Sequence, residues 1–116
     1  MDQSLTYSGA SKLCRNHGAH LATPRTAEEN QCVTDAVVAS HVVWLGYRGG
    51  ETEESFARED GCGALSYTNW YAGQPDLEDE KNCVDVSGGT GVWFDASCAT
   101  SRHVVCQLQN CYRPQC

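Results

Sequence analysis

No stretch of the sequence approaches the ~20 consecutive apolar residues that a membrane-crossing helix requires, which excludes a helical span. Basic residues are scarce: eight Lys and Arg stand against fifteen Asp and Glu, a formal net charge of −7. A nucleic-acid partner needs a basic face for its phosphates, and an anionic membrane surface needs the same, so neither is expected. The sequence has no His-Glu-x-x-His pair, no nucleophile motif and no phosphate loop, so an enzyme is not expected. It has no Asn-x-Ser/Thr acceptor for N-glycosylation, no internal repeat and no low-complexity tract. No apolar stretch follows Met1-Asp2-Gln3-Ser4, so these residues are not a signal peptide and a secreted chain would be seen here in processed form.

What the chain has in excess is cysteine. Eight cysteines in 116 residues point to an oxidising, extracellular compartment, because cytosolic thiols stay reduced. The even number is consistent with full pairing. The length fits one domain, and a domain of this size has a modest core that cross-links would reinforce.

Tyr7, Ala10, Leu13 and Cys14 line one face of a helix predicted from about Thr6 to His17, capped by Thr6 or Ser8 and ended near Gly18. His20 to Thr23 reads as a short extended piece stopped by Pro24. Thr26 and Glu29 form the signature of a capping box for a second helix, with Ala36, Val37 and Val38 towards its far end. Val42 to Tyr47 is apolar on both faces and predicts a central strand. From Arg48 to about Asn82 the chain is polar and glycine-rich, a long loop of the kind that usually carries function. Further strands are predicted at Asn82 to Ser87, Gly91 to Phe94 and Arg102 to Leu108. Two helices followed by strands predict an α+β fold with small antiparallel sheets.

At this point the residues resemble a family. Tyr7, Ala10 and Cys14, then Glu29, Trp44-Leu45-Gly46-Tyr47, Phe56 to Asp60-Gly61 and Leu65-Ser66-Tyr67-Thr68-Asn69-Trp70 follow the order of anchors in C-type lectin-like domains. Gln74-Pro75-Asp76 is similar to the tripeptide of galactose-type members, and Cys83-Val84, Trp93-Phe94-Asp95, Cys98 and Cys106 complete the series. The resemblance implies a C-type lectin-like carbohydrate-recognition domain over residues 1–108, with a shortened N-terminus, and a cysteine-containing tail at 109–116. It implies the disulfides Cys14–Cys106 and Cys83–Cys98, closures that loop entropy values at about 4–5 and about 3 kcal/mol. Cys32, Cys62, Cys111 and Cys116 are not family anchors, and three pairings stay open for them. Only six residues precede Tyr7, where members usually have a first strand, so the edge it covers is open, filled by the tail or covered by a partner. Arg58 stands where many members have Trp.

In the family a cis proline turns the side chains that flank it towards one calcium ion, and that ion binds two sugar hydroxyls. The Gln/Asp order favours galactose and N-acetylgalactosamine. Carried over, Gln74, Asp76 and Asp95 are the candidate ligands. Lys81 occupies the position of an acidic ligand, Glu80 is its one substitute, and Phe94 replaces an Asn. Leu77 replaces the Asp of the second calcium site, which is not expected. Two readings follow. Calcium is bound by the reduced set, or the Lys81 ammonium takes over the role of the metal beside Asp76 and Asp95 and sugar binds by direct hydrogen bonds. Phe94 either offers an apolar face to a sugar ring or packs inward on Trp93.

Other signals are weaker. His17, His20 and Cys14 suggest zinc only until the resemblance commits Cys14 to a disulfide. His41 and His103 have no motif context, and Trp44, Trp70 and Trp93 read as core. The expected function is thus a secreted lectin, of the sort found in innate immunity, for glycans bearing galactose, N-acetylgalactosamine or N-acetylglucosamine. The alternative is a calcium-free domain of the same fold that binds a protein, with ice or mineral binding ranked below both. Weak single sites suggest a homo- or heterodimer, one version being linked through Cys62, Cys111 or Cys116.

Overall fold

The computed structural model describes residues 4–49, 56–59, 67–76 and 81–108. Helix α1 (Tyr7–Asn16) starts at Thr6, whose hydroxyl accepts from the Gly9 amide at 3.3 Å, and buries Tyr7, Ala10, Ser11 and Cys14. Strand β1 (Ala19–Leu21) follows. Helix α2 (Ala27–Asp35) starts at Thr26, whose hydroxyl accepts from the Glu29 amide at 3.1 Å. The expected capping box closes differently. The Glu29 carboxylate reaches one residue further back and accepts from the Arg25 amide at 3.1 Å, held there by the Arg25 guanidinium at 3.4 Å. α2 is also shorter than predicted, because Ala36 is its C-cap and Val37 and Val38 lie beyond it.

Strands β2 (Val42–Arg48), β3 (Ala57–Arg58), β4 (Cys83–Ser87) and β5 (Trp93–Ala96) form an antiparallel sheet in the order β3-β2-β4-β5. β2 is flanked on both sides, as its two apolar faces require. Val43, Leu45 and Tyr47 join Val84, Val86, Trp93, Phe56, Val33 and Ala22 in one cluster. Trp44 joins Tyr7, Ala10, Cys14, Leu21, Cys83 and Ala96 in the other. Gly46 allows the closest approach in this layer: its amide donates to the Ala22 carbonyl at 2.7 Å, and a Cβ there would lie 2.8 Å from the Leu21 carbonyl oxygen. The third predicted strand is displaced, running from Trp93 to Ala96 rather than from Gly91 to Phe94. Gly91 and Val92 instead leave the turn after β4, where the Gly91 amide donates to the Ser87 carbonyl at 2.7 Å and the Ser87 amide donates to the Val92 carbonyl at 3.0 Å. The fourth is shorter than expected: β6 (Cys106–Leu108) pairs with β1, while Arg102 and His103 make only isolated bridges. One of those bridges is to Leu5, which exchanges two backbone hydrogen bonds with Arg102, each at 2.8 Å.

Cys14–Cys106 ties α1 to β6, and Cys83–Cys98 ties the start of β4 to the turn after β5. Both pairs are those the resemblance implied. Cys32 is disulfide-bonded as well, and no described cysteine is free. Cys62, Cys111 and Cys116, on which the remaining pairing and the linked dimer depend, lie outside the described residues.

Candidate functional site

The tripeptide is positioned by β5. Trp93 donates to the Asn69 carbonyl and Tyr71 donates to the Trp93 carbonyl, each at 2.9 Å, so residues 69–71 run along the outer edge of β5. Trp70 is anchored by ring contacts with Trp93 and Phe56, at 5.6 and 5.7 Å. The chain then reverses: Gln74 donates to the Tyr71 carbonyl at 2.8 Å, with Gly73 at φ +85°, a conformation that a residue with a Cβ adopts at a cost. The Gln74–Pro75 peptide bond is cis.

After this turn the tripeptide and β5 bind each other. The Asp95 amide donates to Gln74 Oε1 at 3.4 Å, and the Asp76 amide donates to Asp95 Oδ1 at 3.2 Å. Asp95 is buried. Lys81, just ahead of β4, reaches over so that its Nζ donates to Asp76 Oδ2 at 2.6 Å. Both side chains of this ion pair are about one-third exposed, at 34% and 28%. Phe94 does not pack inward on Trp93. It is half-buried on the opposite face of β5 and stacks on Tyr71, with ring centroids 5.2 Å apart and 25° between planes. Tyr71 is 52% exposed. The result is a polar cluster of Gln74, Asp76, Lys81 and Asp95 bordered by two aromatic rings. Glu80 and Leu77 lie outside the described residues.

The described residues do not fit calcium. The ion takes six to eight oxygens at 2.3–2.6 Å. Here Gln74 Oε1 and Asp95 Oδ1 already accept backbone amides, and Asp76 Oδ2 is bound to an ammonium that would repel a dication. Among the described residues no group of three or more His, Cys, Asp or Glu side chains could hold a metal. The zinc alternative is also gone: Cys14 is in a disulfide, and the Nδ1 atoms of His17 and His20 are bonded to the Leu13 and Leu21 carbonyls.

Two features escaped the sequence reading. Tyr71 was one loop aromatic among several, and only the turn at Gly73 brings it onto Phe94. Asp85 lies in the middle of β4, opposite Phe94 on β5 and therefore on the same face. It is buried, and Arg102 Nε donates to its Oδ2 at 2.9 Å. Burial pushes the Asp85 carboxyl above its ordinary value; the Arg102 hydrogen bond and charge work against that shift, and the Asp95 charge adds to it. A charged residue at an inward register position of a buried strand was the available signal.

Residues 3–108 match the lectin C-type domain family. Bovine tetranectin is 34% identical over 114 residues, covering 91% of this chain and 56% of its own length. Bovine collectin-43 is 36% identical over 108 residues, covering 89% of this chain and 33% of its own. The chain thus spans about half and a third, respectively, of these curated relatives. Among solved structures, the carbohydrate-recognition domain of the mouse scavenger receptor C-type lectin superposes with a TM-score of 0.80 at 25% identity, over 90% of this chain and 83% of that one. With its helices, sheets and two disulfides in the expected places, the chain belongs to the lectin C-type domain family.

Proposed function

We propose that this domain is an extracellular, calcium-independent lectin for neutral sugars of the galactose and N-acetylgalactosamine type, and not an enzyme. The observation that carries the reading is the Lys81–Asp76 ion pair, tied through Asp95 to Gln74 beside the Tyr71–Phe94 stack. In a calcium site the metal neutralises the carboxylates and binds the sugar oxygens. Here Lys81 supplies the neutralising charge and an N–H donor, Asp76 and Asp95 supply acceptors, and the Gln74 amide nitrogen, which has no partner among the described residues, supplies a second donor. Adjacent sugar hydroxyls need such a mixed set. Phe94 and Tyr71 offer an apolar surface to the C–H face of the ring or to an acetamido methyl. Among the described residues no helix is long and apolar enough to cross a membrane, and the disulfides suit an oxidising compartment. A single site of this kind is weak, so a dimer would add avidity.

Calorimetric titration with N-acetylgalactosamine, in calcium and again in EDTA, tests the proposal. Equal binding in both is expected. Binding in calcium alone would return the metal to the site through Gln74, Asp76, Asp95 and Glu80. A second reading, a protein partner, draws on the exposed Tyr71 ring, since exposed aromatics anchor protein interfaces. Absence of sugar binding in both buffers would favour it.

A further inference from the structure

The polar cluster has a continuation. A cleft of about 410 Å³ extends from Lys81 and Phe94 onto the second face of the sheet, over Asp85, and is closed by Ser97, Thr100 and Arg102 from the chain after β5. Its volume falls within the range of about 300–1,000 Å³ typical of small-molecule sites.

The chemistry of its floor is specific. Asp85 is 97% buried by residue area, at 3% exposure, yet Arg102 engages only its Oδ2; no described group donates to its Oδ1. A carboxylate oxygen left open at the floor of a cleft is an acceptor that water or a ligand hydroxyl can fill. Arg102 is held by two contacts, Nε on Asp85 and Nη1 on the Ser101 carbonyl at 3.1 Å, which leaves Nη2 without a described partner. The Ser97 oxygen accepts from the Ala99 amide at 3.3 Å, so its hydroxyl proton is still available to donate; the Thr100 hydroxyl has no described partner. The cleft therefore presents one fixed acceptor beside a fixed donor, two hydroxyls and the ring of Phe94.

The charges at the site point to a neutral ligand. Arg102 is matched by Asp85 and Lys81 by Asp76, so a sulfated or carboxylated group would meet no unmatched cation among the described residues that line the cleft. A paired acceptor and donor next to an aromatic ring suits the adjacent hydroxyls and apolar face of a sugar.

We infer that this cleft is a second saccharide subsite, which holds the residue linked to the sugar bound at Gln74 and Asp76. The inference rests on the lectin reading above and extends it from a monosaccharide to an oligosaccharide ligand. Two probes separate the two claims: N-acetylgalactosamine, and N,N′-diacetyllactosediamine, a disaccharide with N-acetylgalactosamine at its non-reducing end. Two further hydrogen bonds predict that the disaccharide binds roughly tenfold more tightly. Its addition should shift the amide resonances of Ser97, Thr100 and Arg102, which the monosaccharide leaves in place. In the double variant Ser97→Ala/Thr100→Val the ratio of the two affinities should fall to near one. Equal affinities in the wild-type domain, or a preference for the disaccharide that survives the double variant without shifts at those amides, would overturn the subsite and leave the lectin reading standing. Failure of both sugars to bind would overturn the two together.

Discussion

Replacing Lys81 with Met keeps the length and apolar stem of the side chain and removes only the ammonium, so it isolates the role given to that charge. Its effect on folding should be small. The Lys81–Asp76 pair is short, at 2.6 Å, but both side chains are about one-third exposed, so solvent screening leaves a contribution of about 0.5–1 kcal/mol. That corresponds to a fall of a few degrees in melting temperature for a domain of this size. The effect on sugar binding should be larger. A hydrogen bond from a charged donor is worth about 1.5–3 kcal/mol, and Asp76 would face the ligand without the ammonium now bound to it. Affinity for N-acetylgalactosamine in EDTA should therefore drop roughly 10- to 100-fold. Calorimetry in EDTA, with a thermal melt of the same sample, reads both quantities. A Lys81→Met domain that binds sugar within about twofold of wild type in EDTA would refute the argument that this ammonium stands in for a metal. The companion variant Lys81→Glu places a carboxylate two residues ahead of Cys83, and sugar binding by it should require calcium.

Three further outcomes test the framework around the site. Arg102→Ala leaves the buried Asp85 carboxylate unpaired; because Arg102 is itself 31% exposed, the cost at neutral pH should be about 2–3 kcal/mol rather than the 3–5 of a fully buried pair. Asp85 lies above its ordinary value of 3.8 in the folded chain, so the folded state takes up its proton first, and stability from this group rises as pH falls through the folded value towards 3.8. Without Arg102 that shift grows, and denaturant melts from pH 7 to about 4 should show the variant recovering part of its deficit on acidification while wild type changes less. Asn30→Ala removes the acceptor for Trp93 Nε1 at 2.9 Å and the donor to the Gly91 carbonyl at 2.9 Å, both buried, and should cost about 2–4 kcal/mol by urea unfolding. Tyr7→Phe removes the 3.0 Å hydrogen bond to Glu59, which is also held by Ser11 at 2.7 Å, and should cost about 1 kcal/mol without affecting sugar binding.

Much of the fold was legible because its determinants are local or lie in an ordered series. The apolar face of α1 follows from Tyr7, Ala10 and Cys14, and the caps at Thr6 and Thr26 sit where short polar side chains can accept the first helical amides. Errors gathered at element ends. Apolar Val37 and Val38 looked helical, but α2 stops at Asp35; Gly91 and Val92 looked like strand but leave a turn. At such ends propensity differences are smaller than the tertiary hydrogen bonds that decide the boundary.

For the site, the sequence by itself determined the inventory: a Gln-Pro-Asp turn, a lysine where an acid was expected, a phenylalanine beside Asp95, and cysteines at family spacing. These are matters of residue identity and order, and chain connectivity preserves them. Only the tertiary structure decided what those residues face. The ammonium of Lys81 meets Asp76 because β4 and β5 are adjacent antiparallel strands, with Cys83 opposite Ala96, which brings the chain just before β4 level with the end of β5. The same pairing sets Asp85 opposite Phe94 and leaves Arg102 to close the cleft, although seventeen residues of chain separate the two charges. Register across a sheet depends on which apolar faces are buried together, a property of the whole core and not of any one segment.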